Sequence, residues 1–291
     1  MDNSRRAPEP PRLFDPGLAR LRRRRASQTA RAGGELPDFL LRRAAAELTE
    51  RLFAVSREFP LALDLATPLP LFADVLRADP RVGGVACVEN ADEFSPADSS
   101  LSLCVSGLAL QFEDDLPGLL IRIRRALRPD GLFLACLIAG RTLEELRLSL
   151  ALAEEELRGG VSPRVIPFAD LRDLGSLLQR AGFTLPVVDA DNVTVRYADM
   201  FALMRDLRAM GAANPLRQRS RRPAPRALFT RAAQIYAERF SDPDGRIRAT
   251  FEIVWLSGWA PHESQQKPLK PGSAQMRLAD ALGSGGGAPH V

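Results

Sequence analysis

His262 and the adjacent Glu263 are side chains of the types that handle protons near neutral pH. An imidazole donates, accepts or exchanges a proton in this range, and a carboxylate beside it orients the ring or receives a guanidinium. No nucleophile–base pairing accompanies them. The structural alternative is that Trp259 and His262 hold the last strand onto a sheet while Glu263 and Gln265 bond to backbone. The other histidine, His290, lies in the extreme tail. A histidine-based metal site would therefore need mostly carboxylates, and the sequence shows no such cluster, so no metal is expected. The three cysteines, Cys87, Cys104 and Cys136, sit in apolar, strand-like runs at separations that match no compact zinc pattern. Their odd number argues against a disulfide framework, and all three are expected to be buried and reduced.

These residues need elements to position them, and 291 residues suffice for one α/β core with a smaller appendage. Residues 1–12 read as a loose proline-rich tail and Gly283-Ser284-Gly285-Gly286-Gly287 opens a flexible one (283–291). Apolar periodicity predicts a helix from Asp38 to Val55, and Leu61–Leu65 reads as a buried strand followed by a helix from Leu69 to Ala78. Val85–Val88 and Leu101–Val105 are further strands. A helix spans Asp115 to Leu127 with Pro117 in its first turn. Arg128-Pro129-Asp130-Gly131 is turn chemistry, and Leu132–Leu137 is a strand covered on both faces. Thr142 and Glu145 predict a capping box for a helix through Leu157. Helices are expected from Asp170 to Ala181, stopped by Gly182, after Asp199, and from Leu228 to Phe240. Val187-Val188 and Val193–Val195 are separate strand candidates, and Ile247–Leu256 is a late strand expected antiparallel at an edge. The rhythm is that of a parallel α/β sheet. Residues 89–100 are too short, with Pro96 and no helical period, for an ordinary crossover helix.

The net charge of +4 is uneven. Arg20, Arg22–Arg25 and Arg31 form one cluster, and Arg217, Arg219, Arg221, Arg222 and Arg226 another. Such clusters steer acidic partners, RNA or anionic membrane surfaces. Without aromatic interleaving or a nucleic-acid module they read as solvated helix faces or a protein-docking patch, with proximity to a membrane surface left open. No run approaches the ~20 apolar residues that span a bilayer. Met1-Asp2-Asn3-Ser4-Arg5-Arg6 leads into prolines and not an apolar signal segment, so a bacterial cytoplasmic protein is expected. The alternative is a mitochondrial leader, against which the early acidic residues and prolines count.

The strand ending at Asp64, the segment Arg125-Ala126-Leu127-Arg128-Pro129-Asp130-Gly131 and the strand after it resemble a class I S-adenosylmethionine-dependent methyltransferase. Further segments narrow the resemblance to the methyltransferase-like respiratory complex I assembly factors. These are Leu13-Phe14-Asp15, Gln111 through Pro117, Tyr197, Asp206 through Gly211, and Gly258 through Pro268 with its Trp259, His262, Glu263, Ser264 and Gln265. The resemblance implies a Rossmann-like domain over residues 13–282, with a helical region at 13–58 and added helical parts at about 142–240. It implies a protein client, a complex I subunit modified on an arginine, with Tyr197, His262 and Glu263 as candidate catalytic residues. It also implies S-adenosylmethionine as cofactor, with Asp64, Ala66, Glu89 and Ser106 at the binding positions. Ala66 and Pro70 stand where that family carries glycines. Pro68 and Pro70 have no N–H to offer, so the altered turn argues against ordinary binding. An active methyltransferase and an inactive scaffold binding through the arginines and the Met204/Met210 helix are the two other readings.

Overall fold

Ala62–Leu65, four consecutive buried residues, forms strand β1 in the computed structural model, which describes residues 12–31 and 37–266. It pairs in parallel with β2 (Val85–Val88) on one side and β3 (Leu101–Gly107) on the other. β4 (Leu127–Ala139), β6 (Ile247–Trp259) and β5 (Thr184–Tyr197) complete a six-stranded sheet in the order β2-β1-β3-β4-β6-β5. Both faces are covered. Along β4, Leu132, Leu134 and Cys136 enter one core while Phe133, Ala135 and Leu137 enter the other, the two-residue alternation of a pleated strand.

The first face carries α2 (Phe39–Phe53), α3 (Leu71–Ala78), α5 (Glu144–Arg158), α7 (Met200–Ala209) and α8 (Arg226–Phe240). The second carries α4 (Leu116–Ala126) and α6 (Leu171–Arg180). α1 (Pro16–Arg31) precedes them. Three helices start where their caps predict. Asp115 accepts from the Gly118 N–H at 2.9 Å, Asp170 from Arg172 at 2.8 Å and Asp199 from Ala202 at 2.7 Å, each satisfying an otherwise orphaned donor. Residues 89–100 contain a 3-10 turn, Ala91–Glu93, and no α-helix. The sheet is therefore the mostly parallel one of the class I methyltransferase fold, with one strand–helix unit shortened.

Several expectations change. Arg128–Gly131 is not a free turn: Leu101 pairs with Leu127 and Leu103 with Leu132, so these residues bulge out of β4, with Asp130 at φ 61°. The capping box does not form. Leu143 precedes α5 at φ 54° without a side-chain bond. Thr142 Oγ1 instead donates to Ala139 O and accepts from the Glu252 N–H, both at 2.8 Å. Glu145 accepts from Thr250 Oγ1 at 2.5 Å and Thr250 N at 3.2 Å, so both side chains serve β6. The two short strand candidates are one strand, β5, and β5 takes the edge while β6 lies inside it. Cys104 and Cys136 are buried, but Cys87, on edge strand β2, is exposed. Both predicted tails lie outside the described residues, apart from Arg12. Contacts divide the chain after Pro261.

Candidate functional site

Leaving β1, the chain turns at Ala66, whose φ of 60° is the conformation for which the family uses glycine. Three groups of this turn are bonded within the chain. The Ala66 N–H donates to Val88 O at 2.7 Å. Thr67 Oγ1 accepts from the Gly107 N–H at 2.9 Å and donates its own proton to Asp64 Oδ1. Asp64 is 5% exposed, and burial pushes its carboxyl up to about 6. A Cβ at Gly107 would lie 2.8 Å from the Phe72 ring, so that ring fills the space beside the end of β3. Ser106 is fully buried and its hydroxyl has no hydrogen-bond partner among the described residues. Glu89, at the end of β2, is exposed, and its carboxylate has no partner among the described residues.

A methyl donor's amino-acid end needs free amides on this turn. Two positions are prolines, one amide bonds to the neighbouring strand, and the one on Gly107 is capped by Thr67. Pro68 and Pro70 thus have no N–H to offer that end of S-adenosylmethionine, while Glu89 is open to solvent.

Of the candidate catalytic residues, Tyr197 belongs to β5 and His262 and Glu263 to the segment that follows Pro261. Tyr197 ends β5 and is 8% exposed, with Asp206 beside its hydroxyl. Burial, with the charge of Asp206 adding to it, raises its pKa and favours the neutral phenol. Tyr197 pairs with Ile247, at the opposite end of β6 from Trp259. Those ends are roughly 40 Å apart at ~3.3 Å per residue. His262 and Glu263 are exposed. His262 Nδ1 lies 2.7 Å from Ser264 Oγ and accepts from the Ser264 N–H at 3.2 Å. A nitrogen that accepts carries no proton, so the neutral ring holds its proton on Nε2. Ser264 and Gln265 thus close a tight turn on His262, with the Gln265 N–H on His262 O at 3.2 Å.

A cavity of about 390 Å³ lies beyond the C-terminal ends of β1, β3 and β4, where Pro68, Leu108 and Ile138 line it. Open α/β sheets bind ligands in this crevice. None of Asp64, Ala66, Glu89, Ser106 and Tyr197 lines it. Its walls come from segments that carry the family resemblance: Gln111 and Phe112, and residues 207–211 with Met210. Leu13-Phe14-Asp15 is tied to the same region. Asp114 Oδ1 accepts from the Leu13 and Phe14 N–H groups at 2.8 and 3.1 Å, and the Phe14 and Phe112 rings meet edge to face. Asp15 accepts from Arg219, so part of the second arginine cluster is structural. The signal in the sequence was the motifs themselves, which are about 100 residues apart in the chain. Among the described residues no cluster of His, Cys, Asp and Glu could hold a metal, and no helix is long and apolar enough to cross a membrane.

No family model matches the chain. The arginine-hydroxylase NDUFAF5, mitochondrial, of Danio rerio is 37% identical over 84% of this chain and 82% of its own length. The human protein of the same name is 36% identical over 84% of this chain and 76% of its own. A SAM-dependent methyltransferase of Thermotoga maritima aligns with 84% of this chain and 99% of its own, at 14% identity and a TM-score of 0.41. The bacterial cytoplasmic location expected from the sequence is corrected by these relatives, which are named as mitochondrial proteins. With more than a third of its residues shared over most of both chains, this protein belongs to the NDUFAF5 arginine-hydroxylase family of methyltransferase-like complex I assembly factors.

Proposed function

We propose that this chain is an assembly factor for respiratory complex I that acts on an arginine of a client subunit and does not transfer methyl groups. The observation that carries the reading is the turn after β1, where Pro68 and Pro70 offer no N–H and the Ala66 N–H, Thr67 hydroxyl and Asp64 carboxyl bond within the chain, in a protein whose relatives are named arginine hydroxylases. Binding a ligand carboxylate there would break those bonds, at about 1–3 kcal/mol for each buried group left unpaired. His262 and Glu263 offer an exposed imidazole and carboxylate suited to a guanidinium-bearing client. Deleting the gene is expected to lower assembled complex I, and restoring it on a plasmid to bring the level back. Unchanged assembly in the deletion strain rejects the reading.

Methyl transfer is the second reading, favoured by Glu89, which stands open at the end of β2. Isothermal titration with S-adenosylmethionine separates the two. Micromolar binding supports methyl transfer, and no heat at millimolar ligand supports the first reading.

A further inference from the structure

The cavity contains two polar atoms without a hydrogen-bond partner among the described residues. Arg23 Nη1 is one, and it is buried. Gln111 Nε2 donates to Leu108 O at 2.7 Å, which fixes the amide's orientation and leaves its buried Oε1 without a donor. A buried guanidinium N–H and a buried amide oxygen are each costly to leave unpaired. Both residues line the same cavity.

Its charge is one-sided. Six ionisable residues line it: Arg22, Arg23, Arg164, Arg208, Arg219 and Asp38. Arg164 is matched by Glu154 at 2.6 Å, Arg219 by Asp15 at 3.3 Å and Asp38 by Arg42 at 2.7 Å. Arg22 bonds to the Ala213 carbonyl at 2.7 Å, which leaves its charge uncancelled. Arg208 has no partner among the described residues. Two acids act on Arg23: Asp92, which is matched by Arg20 at 2.6 Å, and Glu113, whose carboxyl burial pushes up to about 7, so that it is only partly ionised at neutral pH. The remaining walls are apolar, among them Leu143, Leu146 and Phe251.

We propose that this cavity binds an amphipathic organic anion, with its apolar body against the leucine and phenylalanine walls, its carboxylate on Arg23 and a donor group on Gln111. The volume is within the range of small-ligand pockets. The excess of arginine repels a sulfonium ion, so this ligand is distinct from S-adenosylmethionine, and the site stands whether or not the proposed function does.

The test uses the full chain and the fluorescent probe anilinonaphthalene sulfonate, displaced by decanoate, 2-hydroxydecanoate, decan-1-ol or S-adenosylmethionine. One dye site is expected, emptied by decanoate and, more tightly, by 2-hydroxydecanoate, and left filled by S-adenosylmethionine. Decan-1-ol is expected to be weaker by about 10-fold, as the loss of one charge-assisted hydrogen bond implies. Arg23→Met should erase the preference for decanoate over the alcohol. Gln111→Leu, which removes no charge, should erase the preference for the 2-hydroxy acid and serves if Arg23→Met does not fold. Equal displacement by alcohol and acid, displacement by S-adenosylmethionine as strong as by decanoate, or unchanged preferences in both variants would overturn the proposal.

Discussion

Ala66 holds a φ of 60° without being glycine, a conformation that costs an L-residue roughly 1–2 kcal/mol. A β-branched side chain fits it worse still, so Ala66→Val is expected to lower unfolding free energy by about 2 kcal/mol in urea titration. Asp64 gives the turn a pH dependence. Its folded carboxyl keeps a proton up to about pH 6, whereas the ordinary value is 3.8. The stability this contributes is complete below 3.8 and is lost as pH rises through 6. The loss is on the order of 3 kcal/mol. Asp64→Asn, which cannot ionise, should flatten the stability profile over that interval, and parallel wild-type and variant profiles would refute the assignment. The replaced glycines were legible in the sequence. The bond from the Gly107 N–H to Thr67 was not, because it joins residues 40 apart in the chain.

Local signals placed most helices and strands, since caps and apolar periods act over a few residues. They failed where a side chain had a stronger distant partner. Thr142 and Glu145 have the spacing of a capping box, but they face unpaired groups of β6 and bond to those. Glu145 is buried, and Glu145→Ala would leave the Thr250 N–H and hydroxyl without their acceptor. A loss of about 1–3 kcal/mol in thermal or chemical unfolding is expected, with Glu145→Gln closer to wild type. An Ala variant as stable as wild type would show that the contact between α5 and β6 does not depend on this carboxylate. The interior place of β6 was equally hidden, since pairing order depends on long-range contacts that periodicity does not encode.

Within the unit that ends at Pro261, segments that carried the family resemblance come together: Leu13–Asp15, Gln111–Asp114 and residues 207–211 gather at or beside the cavity. The sequence showed the segments but not their convergence, because the cavity's polar groups are single residues on separate elements. The class I methyltransferase sheet is thereby separated from the proposed chemistry, which rests on how the turn after β1 is bonded. Mass spectrometry of complex I subunits from wild-type, deletion and complemented strains tests that separation most directly. The account predicts a client arginine heavier by one oxygen in wild type, unmodified in the deletion strain and restored on complementation. A methylated arginine in its place, or one identical in all three strains, would contradict it.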